Sequence, residues 1–293
     1  MKNSTDNYLH LPTGKIWYKR ISGGNGVPLV LVHGGPGISA HYMAPLEALA
    51  SGRDLIFYEQ AGCGRSDGAD NRLLWRLDHY IEELHQLRKA LHLERVHLLG
   101  QSWGAGLVGS YALSHPDSGI SSLVLSGPLL DSVRWANDQK EHLSHFPVTV
   151  RAAVSRAEEV GVYDSEEYQE AITAYYNRHV CRLDPWPDCM MQSMAAFNTE
   201  LYLYMWGPSE FTVTGTLRNF SIEAGLSKLN LPVLLTCGEF DEASPDTMRH
   251  YQAHFRAARL KVFEGCSHAH HLEAEALYLT EADNFLKEVD SAS

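Results

Sequence analysis

Apolar residues in this chain follow two rhythms that alternate. Residues 28–32 (PLVLV) form a short unbroken apolar run, the pattern of a parallel strand covered on both faces. Residues 55–58 repeat it, and 96–99 and 122–125 read as further strands. Between these runs, Leu77, Tyr80, Ile81, Leu84, Leu87 and Leu91 recur at helical spacing, which predicts an amphipathic helix with one face on a core. Trp103–Ser114 predicts the next helix. Upstream, residues 8–11 and 15–21 flank Pro12-Thr13-Gly14 and predict a β-hairpin, followed by a glycine-rich break at 22–26.

After Gly127-Pro128 the rhythm changes. Residues 129–225 carry no clear strand run and are rich in helical stretches and aromatics, among them Trp135, Tyr175, Tyr176, Trp186, Tyr202, Tyr204 and Trp206. The first pattern then returns, with strands at 232–236 and 260–263, a helix at 245–257 and a closing helix at 272–286. Alternating strands and helices predict an α/β fold, a mostly parallel, doubly wound sheet with helices on both faces. The boundaries read as a core of 1–127 and 226–293, interrupted by an inserted helical cap at 128–225. A cap beside strand ends is a place to enclose a substrate.

Composition narrows the partners. The chain has 293 residues, 44% hydrophobic and 20% charged, with a net charge of −12. An acidic surface repels phosphate backbones, so no nucleic acid is expected. The N-terminus lacks the apolar core of a signal peptide, and no stretch approaches the roughly 20 apolar residues of a membrane span. A cytoplasmic protein with no membrane partner is the expectation. The five cysteines are an odd number with no CxxC pair, which fits reduced thiols, although Cys181 and Cys189 could pair.

Chemistry enters at Gly100-Gln101-Ser102-Trp103-Gly104. This G-x-S-x-G follows the predicted strand 96–99 and precedes the predicted helix, the setting of a nucleophile elbow in an α/β-hydrolase fold. A serine hydroxyl needs a base, and the base an orienting carboxylate. In this fold they follow in the order Ser, Asp or Glu, His. Asp241 lies beyond strand 232–236 and His268 beyond strand 260–263, on the strand ends that carry Ser102. His270 and His271 share the loop of His268, and spacing alone does not choose among them, nor does it exclude a metal site built from all three. A tetrahedral intermediate needs preorganised N–H donors. One is expected from the backbone of Trp103, the other from His33-Gly34-Gly35-Pro36-Gly37 after strand 28–32. Gly35 is the favoured donor there, with Gly34 possible.

Together these residues resemble the proline iminopeptidase (prolyl aminopeptidase) family, which includes the tricorn-interacting aminopeptidase. The likeness covers nearly the whole chain. The loop at 33–37 is similar to that family's HGGPG. Residues 59–66 look like its DQxGxGxS segment, and 100–104 like its GxSWG elbow. Trp206-Gly207-Pro208-Ser209-Glu210-Phe211 resembles the cap motif GPxEF, residues 238–242 resemble GExDE, and Ser267-His268 the catalytic SH. Two positions depart from it. Glu59 stands where Asp is usual, and Ala105 where glycine is common.

The resemblance implies His268 as the base. It also implies Glu210 and Glu242 as carboxylates that recognise a substrate's free amino group. A protonated amine in a dry pocket needs paired anions. The activity implied is a serine aminopeptidase that releases an N-terminal residue, proline or another small or apolar one, through an acyl-enzyme. No metal or cofactor is implied, and the partner is a small peptide or amino-acid amide. Tyr204 and Trp206 could wall an apolar pocket. An amino-acid amidase, esterase or aminoacyl transferase would share the triad, and a ligand receptor on the same fold could retain it.

Overall fold

The computed structural model describes residues 4–292. The chain opens with β1 (Ser4–Leu11) and β2 (Gly14–Ile21), and continues with β3 (Gly26–Val32), β4 (Arg53–Tyr58), α1 (Leu77–Ala90), β5 (Val96–Gln101), α2 (Trp103–Ser114) and β6 (Ile120–Ser126). Helices α3 (Ser132–Ser144), α4 (Val148–Val160), α5 (Glu166–His179), α6 (Asp188–Ala195) and α7 (Thr199–Met205) follow. The chain closes with β7 (Val233–Gly238), α8 (Pro245–His254), β8 (Ala258–Phe263), α9 (His270–Glu273) and α10 (Glu275–Ser291).

The eight strands form one sheet in the order β1-β2-β4-β3-β5-β6-β7-β8. The β1–β2 hairpin pairs antiparallel with β4, and every pairing from β4 to β8 is parallel. The parallel strands run as apolar blocks because both faces are covered. On β3, Val30 and Val32 belong to the core beneath α1 and α2, while Leu29 and Leu31 belong to the core beneath α10. A third, smaller cluster, with Phe146, Val154, Tyr168 and Tyr175, lies among α4, α5 and neighbouring loops. Parallel pairing also puts the loops after β3, β5, β6, β7 and β8 along one edge of the sheet.

Two local expectations shift, and one element is new. The closing helix is two helices, divided at Ala274 (φ −128°, ψ 48°). The first is held on its loop: Glu273 accepts from Ser267 Oγ at 2.6 Å and from the Arg182 backbone at 2.5 Å. The helix predicted over 245–257 stops at His254, freeing Ala258 to enter β8. A 3₁₀ helix, Ala40–Ser51, went unread because Pro45 and its tighter turns break the 3.6-residue pattern. All five cysteines are free thiols. Among the described residues no helix is long and apolar enough to cross a membrane.

Candidate active site

Ser102 sits between β5 and α2 with φ 57° and ψ −122°, a strained left-handed conformation for a non-glycine residue. The glycines around it make the turn possible. A Cβ on Gly100 would lie 2.4 Å from the Gly104 carbonyl, and one on Gly104 would lie 2.2 Å from that of Val32. Helix α2, which begins directly after Ser102, is buried nearly all round. Ala105 is fully buried in the main core, so the methyl beyond the usual glycine is packed.

His268 Nδ1 hydrogen-bonds Asp241 Oδ1 at 2.7 Å, and both groups are buried. Asp241 is itself anchored by backbone N–H groups of Gly238 and Ala243, each at 3.0 Å. Burial alone would raise its carboxyl. The charge and hydrogen bond of His268, with those of His270, instead hold it well below the ordinary range. Burial disfavours the charged form of His268, but the Asp241 charge and hydrogen bond, then Glu210 and Glu273, outweigh it and raise its pKa. The neighbouring histidines are engaged differently. His270 Nδ1 lies 3.4 Å from Asp241 Oδ2 while its Nε2 contacts the hydroxyls of Ser126 and Thr236 at 3.0 and 2.9 Å, and His271 Nε2 meets the Tyr42 carbonyl at 3.3 Å. The three rings do not converge on a common metal point.

Among the described residues, Glu223, His250 and His254 do have ligand spacing, with their donor atoms within 4.8 Å of one another. There the Arg134 guanidinium lies 2.9 Å from His250 Nε2 and 3.3 Å from Glu223. An arginine already supplies the positive charge, and the cluster ties α3 to α8.

In the loop after β3, the Gly34 N–H donates to Tyr42 Oη at 2.8 Å, so it is committed. Gly35, at φ 104°, lines the same cavity as Ser102 and His268. Trp103 opens α2, where a backbone N–H has no partner within the helix. The loop is braced from β4. Gln60 donates its backbone N–H to His33 Nε2 at 3.0 Å and its amide to the His33 carbonyl at 2.9 Å, and accepts from Trp103 Nε1 at 2.9 Å. Glu59 is fully buried and bound by two guanidinium nitrogens of Arg65, at 2.9 and 2.7 Å. Burial would raise its carboxyl, but the Arg65 hydrogen bonds and charge leave it lowered.

A cavity of about 190 Å³ holds Ser102, His268, Glu210 and Glu242 together. Glu242, beside Asp241, is buried; its Oε2 is 3.8 Å from His268 Nε2 and its Oε1 has no hydrogen-bond partner. Glu210 sits in a turn after α7, not at a helix start, and accepts from Tyr202 Oη at 2.5 Å. Burial, and then the charges of Glu210 and Asp241, push the Glu242 carboxyl well up; burial also raises Glu210. The aromatic walls are Tyr176, Trp186, Phe197 and Tyr202. Trp206 instead backs the site, edge-on to Trp135, whose ring meets His268 edge-on at 5.7 Å. Tyr204 packs against Trp75, away from the cavity.

Several groups here carry little signal in the sequence. Gly127 borders the expected cap, yet at φ 51° a Cβ on it would lie 2.7 Å from His268 Nδ1. Helix α3 holds the acid loop: Gln139 donates to the Glu242 carbonyl at 3.0 Å, and Asp138 accepts from the Ser244 backbone at 3.0 Å. Helix α5 holds the histidine loop through the His179 and Val180 carbonyls, which accept from the backbones of His268 and Ala269 at 3.0 and 2.8 Å. Only the Gly-Pro dipeptide and the helical periodicity hinted at these.

Fold and site together define the class, a serine hydrolase of the α/β-hydrolase fold. The α/β hydrolase fold family matches residues 27–275. The proline iminopeptidase of Heyndrickxia coagulans is 39% identical over 287 residues, spanning 97% of this chain and 99% of that protein. That of Clostridium botulinum is 35% identical, spanning 98% and 99%. The crystal structure of the Mycobacterium smegmatis proline iminopeptidase superposes with a TM-score of 0.91 at 34% identity, covering 98% and 99% of the two chains. The chain belongs to the proline iminopeptidase family and is a serine aminopeptidase.

Proposed function

We propose that the enzyme removes an N-terminal proline, or another small or apolar residue, from short peptides or amino-acid amides, with Ser102, His268 and Asp241 as its triad. Ser102 Oγ attacks the carbonyl of the first residue and its proton passes to His268 Nε2. The Nδ1–H bond to Asp241 keeps that nitrogen's lone pair inward and stabilises the imidazolium. The N–H groups of Gly35 and Trp103 receive the oxyanion. His268 then protonates the leaving amine, and water, activated by the same nitrogen, hydrolyses the acyl-enzyme. Residues 128–225 act as the cap that closes this chamber. The cavity is small beside the roughly 300 Å³ where drug-sized sites begin, in keeping with recognition of one residue. Free thiols suit a reducing, cytoplasmic setting.

The observation that carries amine recognition is the carboxylate pair. Glu210 and Glu242 face the same chamber as Ser102, Glu242 keeps a buried oxygen without a partner, and each carboxyl is pushed up by burial. A substrate ammonium supplies the missing charge. Kinetics on free and N-blocked amides of proline, alanine and phenylalanine test this. The free amides are expected to turn over roughly 10- to 100-fold faster, the size of one lost charge-assisted contact. Equal turnover of blocked and free forms would sink it.

A further inference from the structure

The base meets a group that this reaction scheme does not use. His268 Nε2 lies 2.8 Å from the amide nitrogen of Gln101, the buried residue just before the nucleophile. An amide can present either end, and here its neighbours choose. Gly34 N–H donates to Tyr42 Oη at 2.8 Å, so the phenol's own proton goes to Gln101 Oε1, 2.7 Å away. Burial of Tyr42 keeps that proton in place. The NH₂ end is left facing His268, whose Nε2 is then the acceptor, which agrees with Nδ1–H donating to Asp241. The amide oxygen packs against Gly34, where an added Cβ would lie 2.5 Å from it. Among the described residues no hydrogen bond joins the Ser102 hydroxyl to the ring.

We propose that Gln101 is a positioning residue for the base: its carboxamide holds His268 Nε2 as a hydrogen-bond acceptor in the resting enzyme and releases it when Ser102 passes its proton to that nitrogen. The inference rests on the serine-hydrolase reading of Ser102 and His268. The bond is made to the neutral imidazole, and becomes donor against donor once Nε2 carries a proton. Gln101 therefore favours the neutral base.

The charges around the ring pull the other way. Asp241, from the loop after β7, sits at Nδ1, whereas Glu242 beside it, 3.8 Å from Nε2, is pushed by burial toward its neutral form. Glu210 from the turn after α7 and Glu273 from α9 add to the Asp241 charge. His271, on the same loop, and His179, from α5, are each lowered to about 3 and stay neutral. His142 from α3 is lowered by burial, and His270 is bound to Ser126 and Thr236. Trp135 offers only an uncharged edge. Gln101 is thus the donor that keeps a lone pair on Nε2 against the pull of Asp241, Glu210 and Glu273. The same chain of hydrogen bonds runs back to Gly34, next to the oxyanion-loop Gly35, so it links that loop to the base.

The pH dependence of kcat/KM for prolinamide tests this, because its acid limb reports the base in the free enzyme. Gln101→Met keeps the length and removes the donor. Its acid limb is expected to move up by roughly half to one pH unit, the worth of one net hydrogen bond to the neutral form. Gln101→Glu, whose carboxylate accepts from Nε2–H, moves it further. A limb that stays put in both variants, with kcat/KM merely lower at every pH, overturns the proposal and leaves a structural role. If Gln101→Met does not fold, Tyr42→Phe frees the amide to turn its oxygen toward His268, and the limb must again rise; an unmoved limb overturns the idea there too. Fluorophosphonate labelling of Ser102 in the wild-type enzyme separates the two levels. Labelling with unmoved limbs removes only the role of Gln101, whereas no labelling removes the parent reading and this inference with it.

Discussion

Gly127, by lacking a side chain, makes room for the His268 ring. Its φ of 51° is one that glycine adopts freely, and an added Cβ would lie 2.7 Å from Nδ1 and 2.8 Å from Cε1 of the His268 ring and 3.2 Å from Asp241 Oδ2. The ring cannot retreat, because Trp135 stands against it and Asp241 is held by two backbone donors. Gly127→Ala should therefore displace the imidazole while leaving the rest of the sheet edge intact. A misplacement of about 1 Å at a catalytic group costs on the order of 100-fold in rate. The expected outcome is that loss in kcat/KM together with slower fluorophosphonate labelling, in a protein whose circular dichroism matches the wild type. Wild-type kinetics would show that the loop has room that the present geometry denies it.

Secondary elements differ in how openly the sequence declares them. The central parallel strands were legible because burial on two faces leaves few polar positions to interrupt the run, as Leu29, Val30, Leu31 and Val32 show. The elbow was legible because its strain demands glycines at fixed offsets from Ser102. Asp241 and His268, the proposed acid and base, stand out by their order after strands, but preferring His268 to His270 and His271 needs the family likeness. The 3₁₀ helix carrying Tyr42 was not legible, because its period is not 3.6. Nor was the part played by α3. Its residues Asp138 and Gln139 look like ordinary surface polar residues, and only the tertiary structure shows them holding the Asp241–Glu242 loop. Gln139 is fully buried, receives a hydrogen bond from Tyr175 Oη and gives one to the Glu242 carbonyl. Gln139→Leu strands both partners, at a cost of about 1–3 kcal/mol for each buried polar group left unpaired. Because one of those partners is the backbone of Glu242, a rise in KM for free-amino substrates should accompany the lower melting temperature. A lower melting temperature with KM unchanged would mean that α3 supports the fold and not amine binding.

At the scale of the whole molecule, the carboxylates fall into two opposed groups. Glu59 and Asp241 have lowered pKa values, so the stability they lend is present at neutral pH and is lost as acid protonates them. Glu242 is the reverse. Its folded-state pKa lies well above that of an exposed glutamate, raised by burial and then by the charges of Glu210 and Asp241. The folded state therefore holds that proton more tightly than the unfolded chain. The stabilisation this gives is complete below about pH 4.3, the unfolded value, and is lost as pH rises through the folded value. At pH 8 the free enzyme carries a strain that a bound ammonium would relieve. Glu242→Gln mimics the protonated form, so it should melt higher than the wild type at pH 8 and show little difference near pH 4. Each kcal/mol recovered is worth about 2–4 °C in a chain of this size class. Prolinamide should raise the melting temperature of the wild type at pH 8 and leave that of Glu242→Gln almost unmoved, since the second charge of the pair is gone. If Glu242→Gln melts lower than the wild type at every pH, the pair is a structural feature and the amine-binding role must pass to Glu210 alone.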